Sequence, residues 1–201
     1  MSASTDARAL IPAAIDRFGA RVHAVAAAGA ATGDGGDTWD RPTPCDAWTV
    51  RALVAHLCSE HRWAPHILAG QTMDEVGDRY DGDLVGDDPA GAWDAAAGPS
   101  GAAWTATGSH APRVHVSFGW LDVEEYAVQM LVDLTVHEWD LARGAGLDEE
   151  LDAGCVAAAL AYIRTDPVML TGPGLFAAPV TARSSSPRDE LLALVGRRAG
   201  A

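Results

Sequence analysis

Between Asp122 and Gly146 the chain carries a helix whose two ends can both be read in the sequence. Asp122-Val-Glu-Glu places an N-cap acceptor three residues before Glu125, the spacing of a capping box, and Gly144 or Gly146 supplies the C-cap. Leu121, Val128, Leu131, Leu134 and Leu141 recur at near-helical spacing, so the helix has an apolar face to bury. At the edge of that face, or within it, stand Asp133 and His137, four residues and therefore about one turn apart on the same side. Two metal-ligand types point the same way. A carboxylate buried there needs a partner; on this pair alone, an exposed Asp133 beside a satisfied core histidine is the ordinary alternative.

Such a helix needs other helices to cover it. A chain of 201 residues with 48% hydrophobic content and mean hydropathy near zero is long and apolar enough to bury a core as one domain. Its net charge of −14 removes the phosphate neutralisation on which nucleic-acid affinity rests, and anionic membrane surfaces are equally poor partners. All 14 basic residues are arginine, which reads as the mark of a GC-rich genome rather than as chemistry. Cys45, Cys58 and Cys155 are odd in number and widely spaced, which argues against a disulfide framework and for a reducing compartment. The polar N-terminus is not a signal peptide, and no window approaches about 18 consecutive apolar residues. The expectation is a soluble, cytoplasmic protein.

In chain order, Leu10, Ile11, Ala14, Ile15, Phe18, Val22 and Val25 predict a first amphipathic helix over residues 6–28, followed by a Gly-, Asp- and Pro-rich loop. A second helix starts at an Asp46 or Thr49 N-cap, buries Leu53, Val54 and Leu57, continues past Trp63 and Ile67, and ends before Gly70. His56 sits beside its buried face. His56 and His61 are five apart, not the four of an inverted zinc-protease motif, and point about 140° away from each other, so that motif is rejected.

The acidic stretch from Met73 to Asp88 lacks the pattern of a calcium loop and reads as a solvated connection. Pro89 opens a third helix, weakened or broken at Gly98-Pro99. Arg113 to Gly119 alternates as a short extended segment, with His115 on its polar face as a conceivable fourth ligand. After the central helix, Asp148 caps a helix carrying Leu151, Val156, Leu160 and Ile163 that ends before Asp166-Pro167. Residues 171–186 form an irregular arm, and Ser186-Pro187-Arg188-Asp189 starts a short terminal helix docked by its leucines.

Five helical patterns with almost no strand signal give an all-α bundle: residues 1–165 form the bundle, and 166–201 an arm and short helix docked on it. Bundle cores build metal sites from facing helices. His56 on one helix with Asp133 and His137 on another make a two-histidine, one-carboxylate set that leaves coordination positions open.

The second helix, TPCDAWTVRALVAHL, and the central one, DLTVHEWDLARGAG, resemble those of the actinobacterial mycothiol-dependent maleylpyruvate isomerase family, within the DinB-like superfamily of metal-binding four-helix bundles. The closing GLFAAPVTARSSSPRDELLALVGR is similar to the tail of a short subgroup of those proteins. The resemblance implies a divalent metal, zinc first with nickel or iron as the other candidates, held by His56, Asp133 and His137. The sequence departs from the family pattern by having Asp rather than Glu at 133, one methylene shorter. It also has a short arm in place of the isomerase's C-terminal domain, so maleylpyruvate isomerisation itself is not the expected reaction.

The mechanism this resemblance suggests is that mycothiol, or another low-molecular-weight thiol, would be held as its thiolate at an open metal position and would attack a small electrophile, giving S-transfer or thiol-assisted isomerisation. Glu60, Glu138 and Asp140 are candidates for supporting the ligands or moving protons, with a surface role as the alternative for each. Trp48 and Trp139 are expected to pack the core, and Arg143 to meet an anionic substrate or the helix C-terminus. The rival from another class is a non-catalytic metal- or small-ligand-binding protein, a sensor or sequestering protein. A further rival is a metal-free helical scaffold. Because DinB-like bundles often pair, a homodimer is the assembly to test.

Overall fold

The structure, a computed structural model, describes residues 6–32, 37–45, 48–106, 110–165 and 176–200. Helix α1 runs Ala7–Thr32, one turn beyond its apolar pattern, and buries Ile11, Ile15, Phe18, Val22 and Val25. A single turn, α2 (Asp37–Asp40), contributes the buried Trp39. Helix α3 is Val50–Leu68; Thr49 is its N-cap, with the hydroxyl accepting from the Ala52 amide at 3.2 Å. Asp46, the other cap considered, lies outside the described residues.

The acidic connection contains a turn of helix, α4 (Met73–Val76), closed by a Thr72–Glu75 capping box, and it drops Val76 and Val85 into the core. Helix α5, Pro89–Thr105, is capped by Asp88 and is continuous through Pro99, contrary to the expected break. A proline removes one helical hydrogen bond and crowds the preceding turn. Here Trp93, Ala96, Ser100 and Trp104 form one buried stripe on both sides of Pro99, and packing against α1 and α3 holds the two halves in line.

The extended segment proves to be half of a hairpin. Strand β1 (Arg113–Val116) pairs antiparallel with β2 (Gly119–Asp122), Val116 opposite Gly119, across a two-residue turn of Ser117 and Phe118. Gly119 takes φ of 123°, a backbone conformation that favours glycine. Strand β2 runs directly into helix α6, Val123–Ala145. Asp122 occupies the N-cap position but makes no capping bond; its carboxylate lies 3.6 Å from Arg113 of the neighbouring strand. Glu125 turns to Tyr162 and Gln129 instead of back to the cap. The left-handed Gly146 ends the helix, and Gly144 lies inside it.

Helices α1, α5, α3 and α6 pack in that cyclic order around one core, so the fold is an all-α four-helix bundle with the hairpin at its edge. Nearly every α6 residue from Met130 to Ala142 is buried because the helix has a second apolar side. There Val132, Val136 and Trp139 meet α7 (Ala153–Thr165) and α8 (Pro187–Leu194) in a separate cluster with Leu160, Ile163, Leu191 and Leu192. Asp152, not Asp148, accepts from the Cys155 amide at the start of α7, and Ser186 caps α8 through the Asp189 amide. No helix among the described residues is long and apolar enough to cross a membrane.

Candidate metal centre

Where α3 crosses α6, the structure brings His56, Asp133 and His137 together. One donor atom from each lies within 4.8 Å of the other two. His56 Nε2 is 3.1 Å from Asp133 Oδ2 and His137 Nε2 is 3.2 Å from Asp133 Oδ1, so one carboxylate is shared between two imidazoles from different helices. The imidazole rings meet edge to face at 5.3 Å, and the Trp48 ring packs against both, 4.6 Å from His56 and 5.3 Å from His137.

Behind His137 lies a buried chain of contacts. Its Nδ1 is 3.0 Å from Asp140 Oδ2, one turn further along α6. Asp140, fully buried, accepts from Arg197, whose Nη2 lies 2.8 Å from Oδ2 and whose Nε lies 3.2 Å from Oδ1. Arg197 is itself only 3% exposed and donates through Nη1 to the Val195 carbonyl at 2.7 Å.

The electrostatics follow from this geometry. Burial acts to raise the Asp133 carboxyl, but the His137 and His56 imidazoles outweigh it and hold the group well below the usual carboxylate range. Burial acts against the His137 charge, yet Asp133 and Asp140 push its pKa up to about 9. Two imidazoles sharing one carboxylate are stabilised by positive charge between them. A metal ion provides such charge once the ring nitrogens that ligate it have given up their protons.

The remaining sequence candidates divide. Asp140 supports His137. Glu138 is buried too, but it pairs with Arg17 at 2.8 Å and Arg21 at 3.6 Å on α1, turned away from the ligands. Arg143 stands in the last turn of α6, where its charge suits the helix C-terminus, and it binds Glu149 at 2.9 Å and lies over the Trp139 ring. His115 accepts from the Met73 amide and packs on Trp120 outside the three-residue cluster. Trp139 packs in the second core as expected. Glu60 lies on the wall of a groove of about 400 Å³ onto which His56, Asp133 and His137 also open. Burial, then the Asp133 charge, pushes the Glu60 carboxyl up.

Residues 18–142 match the family profile described as the mycothiol maleylpyruvate isomerase N-terminal domain. The chain belongs to this family. All three clustered residues lie inside the matched stretch. Two relatives from Mycobacterium tuberculosis are "Uncharacterized protein MT0763" of strain CDC 1551 / Oshkosh and "Uncharacterized protein Rv0738" of strain ATCC 25618 / H37Rv. Each is 31% identical over 166 residues, covering 78% of this chain and 83% of the relative. No solved structure gives a significant match.

Within this family member the residue that sequence reasoning missed is Arg197, which lies beyond the matched stretch. Asp140, three residues after His137, was legible as a helical neighbour. Its arginine, 57 residues away, had no local signal.

Proposed function

We propose that this chain uses a divalent metal and a low-molecular-weight thiol, mycothiol by its family, to act on a small electrophile by S-transfer or thiol-assisted isomerisation. His56, Asp133 and His137 hold the metal. Two imidazoles and one carboxylate suit zinc, and also nickel or iron. When bound, the metal holds a coordinating thiol as its thiolate near neutral pH.

The observation that supports this reading best is the position of the three donors on the wall of a groove whose volume, about 400 Å³, is that of a small-molecule site. The chain's own residues prepare the site. Asp140 accepts the Nδ1 proton of His137, which selects the tautomer with a free Nε2 lone pair, and Arg197 keeps Asp140 charged and fixed. Trp48 braces both imidazole rings, limiting their rotation.

The test uses monochlorobimane, an uncharged electrophile that becomes fluorescent when a thiolate displaces its chloride. Metal-loaded protein with mycothiol is expected to accelerate adduct formation at least about tenfold over the uncatalysed rate. Asp133→Ala is expected to abolish the gain. No acceleration with mycothiol or any other small thiol would overturn the reading.

A further inference from the structure

The groove's walls carry a statement about what enters it. They are built largely from Trp48, Trp63, Met73, Phe118, Met130 and Phe176. Phe118, at the tip of the hairpin, is 68% exposed, an apolar surface at the groove that a ligand of matching character would cover.

Charge is distributed one way. Among the described residues no arginine lines the groove, and the carboxyl side chains that do are Glu60 and Asp133, the latter bracketed by His56 and His137. The segments 33–36, 46–47, 107–109 and 166–175 hold no Arg, Lys or His in their sequence, so they have no cationic side chain to offer. The whole chain adds a net charge of −14. An anionic group away from His56 and His137 would be stripped of water among aromatic rings with no counter-charge, which is costly.

One polar group on the wall has no partner. The Tyr126 hydroxyl is buried without a hydrogen bond among the described residues, although the rest of its side chain stacks on Trp104. Burial, then the Glu60 and Asp133 charges, pushes this phenol well above its usual pKa, so it is a donor at neutral pH.

We propose that the groove takes a largely apolar electrophile that carries no anionic group and that the Tyr126 hydroxyl hydrogen-bonds an acceptor oxygen on it. The inference deepens the thiol-using reading and rests on it for the word electrophile. The binding preference itself stands apart from any turnover.

The test is therefore a binding experiment with unreactive probes on the full-length protein, followed by NMR shift titration. The probes are benzylacetone, a neutral ketone; its para-carboxylated derivative; and n-butylbenzene, which lacks the oxygen. Benzylacetone is expected to bind at least about tenfold tighter than its carboxylated derivative. Tyr126→Phe is expected to weaken benzylacetone by about three- to tenfold and to leave n-butylbenzene unchanged, which also shows that the variant is folded. Equal or tighter binding of the carboxylated derivative would overturn the proposed ligand class. An unchanged affinity of Tyr126→Phe for benzylacetone would overturn the oxygen contact. If the preference holds but the bimane assay shows no turnover, the catalytic reading fails and the ligand class stands; the converse pair of results separates them the other way.

Discussion

His56 and His61 stand five residues apart on α3, and the bundle gives the two imidazoles different partners and different exposure. His56 lies part-exposed at the groove, 3.1 Å from the Asp133 carboxylate on the facing helix. His61 is fully buried on the other side of α3, with Nδ1 2.8 Å from the Ser100 hydroxyl and its ring edge-on to Trp93. Burial pushes the His61 pKa down to about 4, so this ring is neutral and serves packing. Whether a histidine near the core joins a cluster of ligand-type side chains therefore depends on which group the opposite helix places against it.

The largest effect that would break this contrast is on metal binding. His56→Ala is expected to lower metal affinity by more than about a hundredfold, beyond what loss of a supporting contact costs. His61→Leu is expected to bind metal as the native chain does. Competition against a chromophoric chelator measures both, and equal losses in the two variants would end the distinction.

Asp140→Asn comes next. It leaves Arg197 buried without its counter-charge, which costs about 3–5 kcal/mol of stability. It also unsettles His137, costing about 10- to 100-fold in metal affinity. Denaturant melts and the same competition assay report the two effects separately.

The pH dependence sharpens the other half of the comparison. Between the ordinary histidine pKa of 6.5 and about 4, the unfolded chain takes up a proton at His61 that the folded chain refuses. Stability from this site is therefore fully present above about pH 6.5 and declines as the pH falls towards 4, by roughly 3 kcal/mol in all. Denaturant melts at stepped pH should show that fraction of the decline missing in His61→Leu. Smallest is Ser100→Ala, expected to cost about 1–2 kcal/mol by leaving the His61 Nδ1 without a partner, with metal affinity unchanged.

Helical spacing of apolar residues was enough to place α1, α3, α6 and α7, because each buries a continuous stripe. The features it misplaced depend on groups distant in sequence or on neighbouring elements. Asp122 is drawn to Arg113 across the hairpin, and Glu125 to Tyr162 on α7, so a capping box with the right spacing does not form. Pro99 does not break α5 because tertiary packing spans it. The residues named as ligands do lie together, but the Asp140–Arg197 pair that backs His137 joins positions 57 residues apart. Glu138 shows the complementary error, a carboxylate next to a named ligand whose partners are on α1.

The most direct test of the metal centre is elemental analysis of the native protein beside Asp133→Ala and His137→Ala, all prepared without chelators or a histidine tag. About one zinc, nickel or iron per native chain is expected, with its loss in both variants while their far-UV circular dichroism stays helical. A native chain without metal, or variants that retain it, would contradict a metal site at His56, Asp133 and His137.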